Sequence, residues 1–160
     1  KDESIYADPM DAKRFAKETG VDCLAIAVGT AHGEYPKGLI PHINFDRIRE
    51  VKEATGGMPI ALHGGSGSGD ENILKAVDAG INKVNMVTDV LVSMREYTRK
   101  RLEENPKIGY INLMMEVEEN VKSFIERWID LTGSEGKAEL FKPVDRVGLL
   151  TPKCAIGVGE

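Results

Sequence analysis

An α/β fold with parallel strands is what this sequence predicts, on three observations. Three short apolar runs recur along the chain, helix-patterned segments alternate with them, and the connections between them are short. Such an order builds parallel βαβ units. A length of 160 residues, with 41% apolar and 29% charged side chains, suffices for one domain with a sizeable core.

The elements follow in order. Asp8-Pro9 reads as an N-cap followed by proline at the first helical position, and Gly20 ends a helix over 9–19 whose less polar face carries Ala12, Phe15, Ala16 and Thr19. The run Cys23 to Gly29 has strand length and unbroken apolar character, which predicts a parallel strand buried on both faces. Asn44 caps a second helix with Phe45, Ile48, Val51 and Ala54 at helical spacing, and Gly56-Gly57 stops it. Met58–Leu62 is a second strand. Asp70 is expected to cap a third helix through Ala79, Ile81–Val87 forms the third strand, and Thr88 or Asp89 starts a long helix to about Glu104. The strands are expected within 21–29, 58–63 and 81–87, as parallel neighbours. A last helix, roughly 109–132, carries Leu113, Val117, Val121, Phe124, Ile125, Trp128 and Leu131 on one side, and this apolar stripe calls for packing on the fold's outside or on another subunit. Residues 139–160 lack periodicity and read as an irregular C-terminal extension to a domain over 1–138.

A net charge of −5 and the lack of basic runs interleaved with aromatics argue against nucleic acid as a partner. No segment approaches the ~20 apolar residues that span a bilayer, so no membrane association is expected. These features fit a cytoplasmic enzyme. Cys23 reads as a small core residue and Cys154 lies in the irregular tail, with no pattern of a disulfide framework or a cysteine-based zinc cluster. The chain starts at Lys1 rather than methionine, so the natural translation start is expected to lie elsewhere.

In a parallel sheet all strand C-termini share one edge, and that edge carries the ligand site in open α/β folds and in (β/α)8 barrels. The polar motifs fall there each time: His32 after the first strand, His63 after the second, Asn85 and Thr88 after the third. Adjacent strands about 4.8 Å apart would deliver both imidazoles to one mouth, within reach of one Zn²⁺. A single histidine after a strand is ordinarily a hydrogen-bonded loop residue, and His42 keeps that reading; two at equivalent strand ends make a metal pair a serious alternative. The run Gly64-Gly65-Ser66-Gly67-Ser68-Gly69, between a strand and a helix, can present backbone N–H groups and the Ser66 hydroxyl to a phosphate, or it can be a flexible turn. Asn85 and Thr88 add donors on the neighbouring strand, although Thr88 also suits a helix cap.

The segments Leu24–Tyr35, Leu62–Gly67 and Lys83–Asp89 together resemble three consecutive signature segments of the class II, zinc-dependent ketose-bisphosphate aldolases, the fructose- and tagatose-bisphosphate aldolases. Gly133–Ala138 resembles that family's C-terminal end, so the likeness covers about residues 5–138. It implies a (β/α)8 barrel of which this chain covers the last three strands with their helices. It implies Zn²⁺ held by three histidines, His32 and His63 matching the second and third, with the ion acting as the Lewis acid that replaces a Schiff-base lysine. Gly33, Gly64, Gly65, Ser66, Asn85 and Thr88 match positions that hold the dihydroxyacetone-phosphate part of the substrate, and a monovalent cation, Na⁺ or K⁺, is implied nearby. The implied reaction is reversible retro-aldol cleavage of a ketose 1,6-bisphosphate to dihydroxyacetone phosphate and glyceraldehyde 3-phosphate. Val87 stands where many fructose-bisphosphate members have Asp and where tagatose-type members have a small apolar residue, so the ketose stays open.

The first zinc histidine and the Asp that serves as general acid/base belong to the family's N-terminal half, which this chain lacks. The expected partners are therefore a sugar phosphate, the missing N-terminal barrel half, and further copies of the chain in a homo-oligomer, and the chain alone is expected to be inactive. The runner-up enzyme is another metal-dependent aldolase of the same fold acting on a different phosphorylated ketose. The alternative from outside the enzymes is a noncatalytic half-barrel retained for binding or assembly.

Overall fold

The computed structural model describes residues 5–140. Helix α1 (Pro9–Thr19) begins as its sequence dictates: the Asp8 carboxylate accepts from the N–H groups of Met10 and Asp11, and Gly20 closes the helix at φ 67°. Helix α2 (Phe45–Ala54) is capped by Asn44, whose side chain accepts from Arg47 N. Helix α3 (Asp70–Ala79) starts differently from expectation, with Gly69 in the cap position and Asp70 as its first residue. The Asp70 carboxylate is instead paired with Arg127, so it faces another helix rather than its own N-terminus. Helices α4 (Thr88–Glu104) and α5 (Tyr110–Leu131) follow, packed against each other, and a short 3-10 turn covers Ala138–Leu140. That turn takes in the first two residues of the segment expected to be irregular; 141–160, including Cys154, lie outside the described residues.

The sheet is parallel throughout, in the order β1 (Leu24–Ala25), β2 (Ile60–Leu62), β3 (Ile81–Val84). Leu24 faces Ile60 and Ala25 faces Ala61; Ile60 then faces Ile81 while Ala61 faces Lys83, so Asn82 is an extra residue in the register. Its side chain fills the irregularity, accepting from Ile60 N at 3.1 Å and from Lys52 Nζ at 2.6 Å.

The three strands are neighbours and parallel as expected, and shorter. The expectation that the first is buried on both faces is corrected: Leu24 and Ile26 are half-buried while Ala25 and Ala27 are exposed. A groove of about 560 Å³, lined by Ala7, Phe15 and Leu24–Ala27 among others, runs along this strand, which pairs only with β2 among the described residues. Cys23, expected in the core, is exposed for the same reason, standing at the start of a strand with one neighbour.

The core lies between the sheet and α2, α3 and α5. Ile48 and Val51 of α2, Ile73 and Ala76 of α3, Ile60 and Leu62 of β2, Ile81 of β3 and Trp128 of α5 share one buried cluster. β2 is buried along its whole length, as a central parallel strand should be. No helix among the described residues is long and apolar enough to cross a membrane.

Candidate active site

Each strand hands its C-terminal end to a loop that carries polar side chains, and the three loops converge. The ring centres of His32 and His63 are 5.5 Å apart with an interplanar angle of 73°, and both side chains are exposed. Two imidazoles that share one tetrahedral zinc, each nitrogen about 2.0–2.1 Å from the metal, place their ring centres roughly 5 Å apart. The observed ring spacing is close to that value. Among the described residues no group of three or more His, Cys, Asp or Glu side chains is placed to hold a metal ion.

His63 is joined to the third strand. Lys83 Nζ donates to Asn85 Oδ1 at 2.5 Å, and because an ammonium only donates, the amide oxygen must face it. That orientation turns the Asn85 NH₂ toward His63 Nε2, 3.4 Å away. Asn85 thus belongs beside the imidazole pair, as the strand register requires: Asn85 N continues the ladder by donating to Leu62 O at 3.0 Å.

The glycine-rich loop is packed rather than slack. Gly64, Gly65 and Ser66 are buried. A Cβ on Gly64 would stand 2.5 Å from Ala31 O, and one on Gly65 would stand 2.9 Å from Val84 Cγ1, so these glycines let the loop lie directly against the first and third strand ends. Gly64 also takes φ 67°, the left-handed region. The Ser66 hydroxyl accepts from Asp89 N at 3.2 Å, and Gly67 N returns a hydrogen bond to Asp89 Oδ2 at 3.2 Å. Thr88 is the first residue of α4, so it and Ser66 meet at that helix's N-terminus, where the positive end of the dipole favours an anion. Gly33 lies apart in the β1–α2 connection, exposed and with open space around its Cα. His42 is exposed in the same connection, and its carbonyl packs on Gly29.

Several contacts that shape this mouth were not singled out from the sequence. Thr30 Oγ1 donates to His63 O at 2.6 Å, Tyr35 reaches both histidine loops, Lys83 orients Asn85, and Arg95 of α4 pairs with Glu34 at 3.2 Å. Thr30, Glu34, Tyr35 and Lys83 sit inside the same three segments as the histidines, which was the available signal.

Residues 1–137 match the family model of the class II fructose-bisphosphate aldolases. The chain belongs to that family. Among solved structures, this aldolase chain is similar to the YdjI aldolase of Escherichia coli K12, with 36% identity and a TM-score of 0.73 over 83% of this chain and 48% of that one. A Coccidioides immitis protein assigned as a fructose-1,6-biphosphate aldolase matches at 28% identity and TM-score 0.73, over 85% of this chain and 46% of its own. The fructose-bisphosphate aldolase of Campylobacter jejuni shares the fold, at 20% identity and TM-score 0.69 over 81% of this chain and 46% of that one. The chain spans about half the length of the solved structures it matches, and its three parallel strands with their helices are part of an aldolase (β/α)8 barrel.

Proposed function

We propose that residues 1–138 are the C-terminal half of a metal-dependent ketose-bisphosphate aldolase, carrying the last three strands of its barrel and two of its three zinc histidines. The observation that carries this reading is the 5.5 Å approach of the His32 and His63 rings beside a buried Gly64–Ser66 loop. His32 and His63 hold Zn²⁺ together with a third ligand from the complementary barrel half. When bound, the metal acts as a Lewis acid on the carbonyl next to the bond that breaks.

The remaining work falls to this chain's own groups. The Ser66 hydroxyl and the Gly64 and Gly65 backbone bind the phosphate of the dihydroxyacetone-phosphate part, with Thr88 and the α4 N-terminus beside them. Asn85 lies at the substrate's hydroxyl end of the mouth, and Gly33 contributes its backbone to the same dihydroxyacetone-phosphate part. A monovalent cation, Na⁺ or K⁺, bound by nearby carbonyls completes the phosphate pocket. The substrate is fructose or tagatose 1,6-bisphosphate. The proton on the hydroxyl that becomes the aldehyde passes to an acid/base carboxylate of the other half, the carbon–carbon bond breaks with its electron pair going to the dihydroxyacetone-phosphate carbon, and protonation of that carbon gives dihydroxyacetone phosphate beside glyceraldehyde 3-phosphate. The working enzyme is a cytoplasmic homo-oligomer in which residues 139–160 extend the domain.

The test is a coupled triose-phosphate assay with both ketoses, on the chain combined with a class II N-terminal barrel half and Zn²⁺. Chelator-sensitive cleavage that disappears in His63→Ala supports the reading. A combined protein that binds Zn²⁺ and sugar phosphate without cleaving either ketose would replace it with the noncatalytic half-barrel.

A further inference from the structure

The half-buried Tyr35 stands in the β1–α2 connection, and neither the core nor the proposed ligand chemistry uses it. Its hydroxyl accepts from Ala31 N at 2.7 Å and lies 3.0 Å from Ala31 O and 3.5 Å from Gly64 O. Ala31 immediately precedes His32, and Gly64 immediately follows His63. One phenol therefore touches the backbone beside both imidazoles. Its single proton serves one carbonyl at a time: Ala31 O is the nearer, and Gly64 O lies at the limit of bonding. The ring is held too, because Gly67 leaves room for it; a Cβ there would come within 2.9 Å of Tyr35 Cδ2. Thr30 makes a parallel tie, donating to His63 O at 2.6 Å. Thr30 thus bonds the two histidine loops directly, while Tyr35 braces the His32 loop through Ala31 and rests its ring and hydroxyl against the His63 loop at Gly67 and Gly64.

We propose that Tyr35 is a positioning residue for the imidazole pair, holding the His32 and His63 loops at the spacing one divalent cation can bridge. This rests on the metal reading of the two histidines given above. Groups that orient metal ligands without touching the metal typically change affinity 10–100-fold when removed.

The experiment is a cobalt(II) titration of the chain combined with a class II N-terminal barrel half, followed by NMR of the ring protons of this chain's three histidines, labelled in this chain only and assigned with single His→Gln variants. In the parent chain His32 and His63 broaden together, at lower cobalt than His42. Tyr35→Phe removes the phenolic oxygen and keeps the ring over Gly67. It is expected to raise the cobalt concentration for joint broadening about 10-fold or more, while the His42 response and the circular dichroism stay the same. If Y35F responds at the parent's concentrations, this inference is overturned and the metal reading stands. If His32 and His63 in the parent do not broaden together ahead of His42, the metal reading falls and this inference falls with it.

Discussion

Ser66 and Asp89 clasp the glycine-rich loop to the start of α4: the Ser66 hydroxyl accepts from Asp89 N at 3.2 Å, and the Asp89 carboxylate takes the N–H of Gly67 at 3.2 Å. Because Ser66 Oγ accepts in this clasp, its proton is free to donate to a phosphate oxygen. Ser66→Ala should therefore weaken binding of a sugar phosphate by about 1–3 kcal/mol, the range of a hydrogen bond to a charged group. Calorimetric titration of the combined enzyme with dihydroxyacetone phosphate measures it. An unchanged dissociation constant would remove Ser66 from the phosphate site.

The fit of Gly64 against the first loop gives a stability prediction. Gly64→Ala imposes a left-handed conformation on a residue with a Cβ and drives that atom to 2.5 Å from Ala31 O. The strain and the overpacking together should cost roughly 2–4 kcal/mol. Urea denaturation of the chain and its G64A variant reads the difference. A loss under 1 kcal/mol would mean that the two loops can part cheaply.

Much of this was legible because its causes are local. Asp8-Pro9 and Asn44 start their helices where the sequence places them, since a cap needs only the next three residues to act. His32, His63 and Asn85 converge because strand order and strand direction follow from the alternation of elements. What the sequence concealed depends on partners far along the chain. Thr30 and His63 are 33 residues apart, and nothing in either segment names the other. Asp70 looks like a cap until Arg127 of α5 takes its carboxylate. The apolar run around Cys23 reads as fully buried because periodicity cannot tell a strand with two neighbours from a strand with one.

Trp128 makes assembly visible. It is 6% exposed, its Nε1 has no hydrogen-bond partner among the described residues, and it lines a cavity of about 260 Å³ with Ile81, Val84 and Met86 at the third strand. Seating a barrel strand against β3 would enclose that cavity and bring a carbonyl acceptor to the indole N–H. As the chain's one tryptophan, it reports alone. Adding an N-terminal barrel half that carries no tryptophan should shift its emission with the same concentration dependence as association seen by sedimentation. Association with unchanged emission would place the contact away from β3.

Arg101 of α4 and Glu116 of α5 tie the last two helices, with Arg101 Nε to Glu116 Oε2 at 2.5 Å. The hydrogen bond from Arg101 holds the Glu116 carboxyl below its ordinary value of 4.5, outweighing the desolvation that would raise it. A carboxylate whose folded pKa is depressed contributes stability that is present above its unfolded pKa and is lost as pH falls through the folded one. The thermal midpoint should thus drop on acidification below about pH 4.5 less steeply in Glu116→Gln than in the parent. Identical pH profiles would show that the pair adds nothing to the docking of α5.

The last prediction joins metal, completeness and turnover. Catalytic zinc sites ordinarily have three protein ligands and an open position, and the described residues bring together His32 and His63 but no group of three. Zinc should bind the chain weakly by itself. Cleavage also needs a positioned group to take the hydroxyl proton, a step contributing typically 10²–10⁴-fold in rate, and the family resemblance assigns that carboxylate to the other barrel half. Residues 1–160 alone should therefore show no significant aldolase turnover, and turnover should appear when an N-terminal half and Zn²⁺ are supplied together. The coupled triose-phosphate assay, run across a zinc titration with and without that half, decides the matter. Strong chelator-sensitive cleavage by the purified chain alone would mean that the third ligand and the proton carrier are supplied by these 160 residues or by a second copy of them.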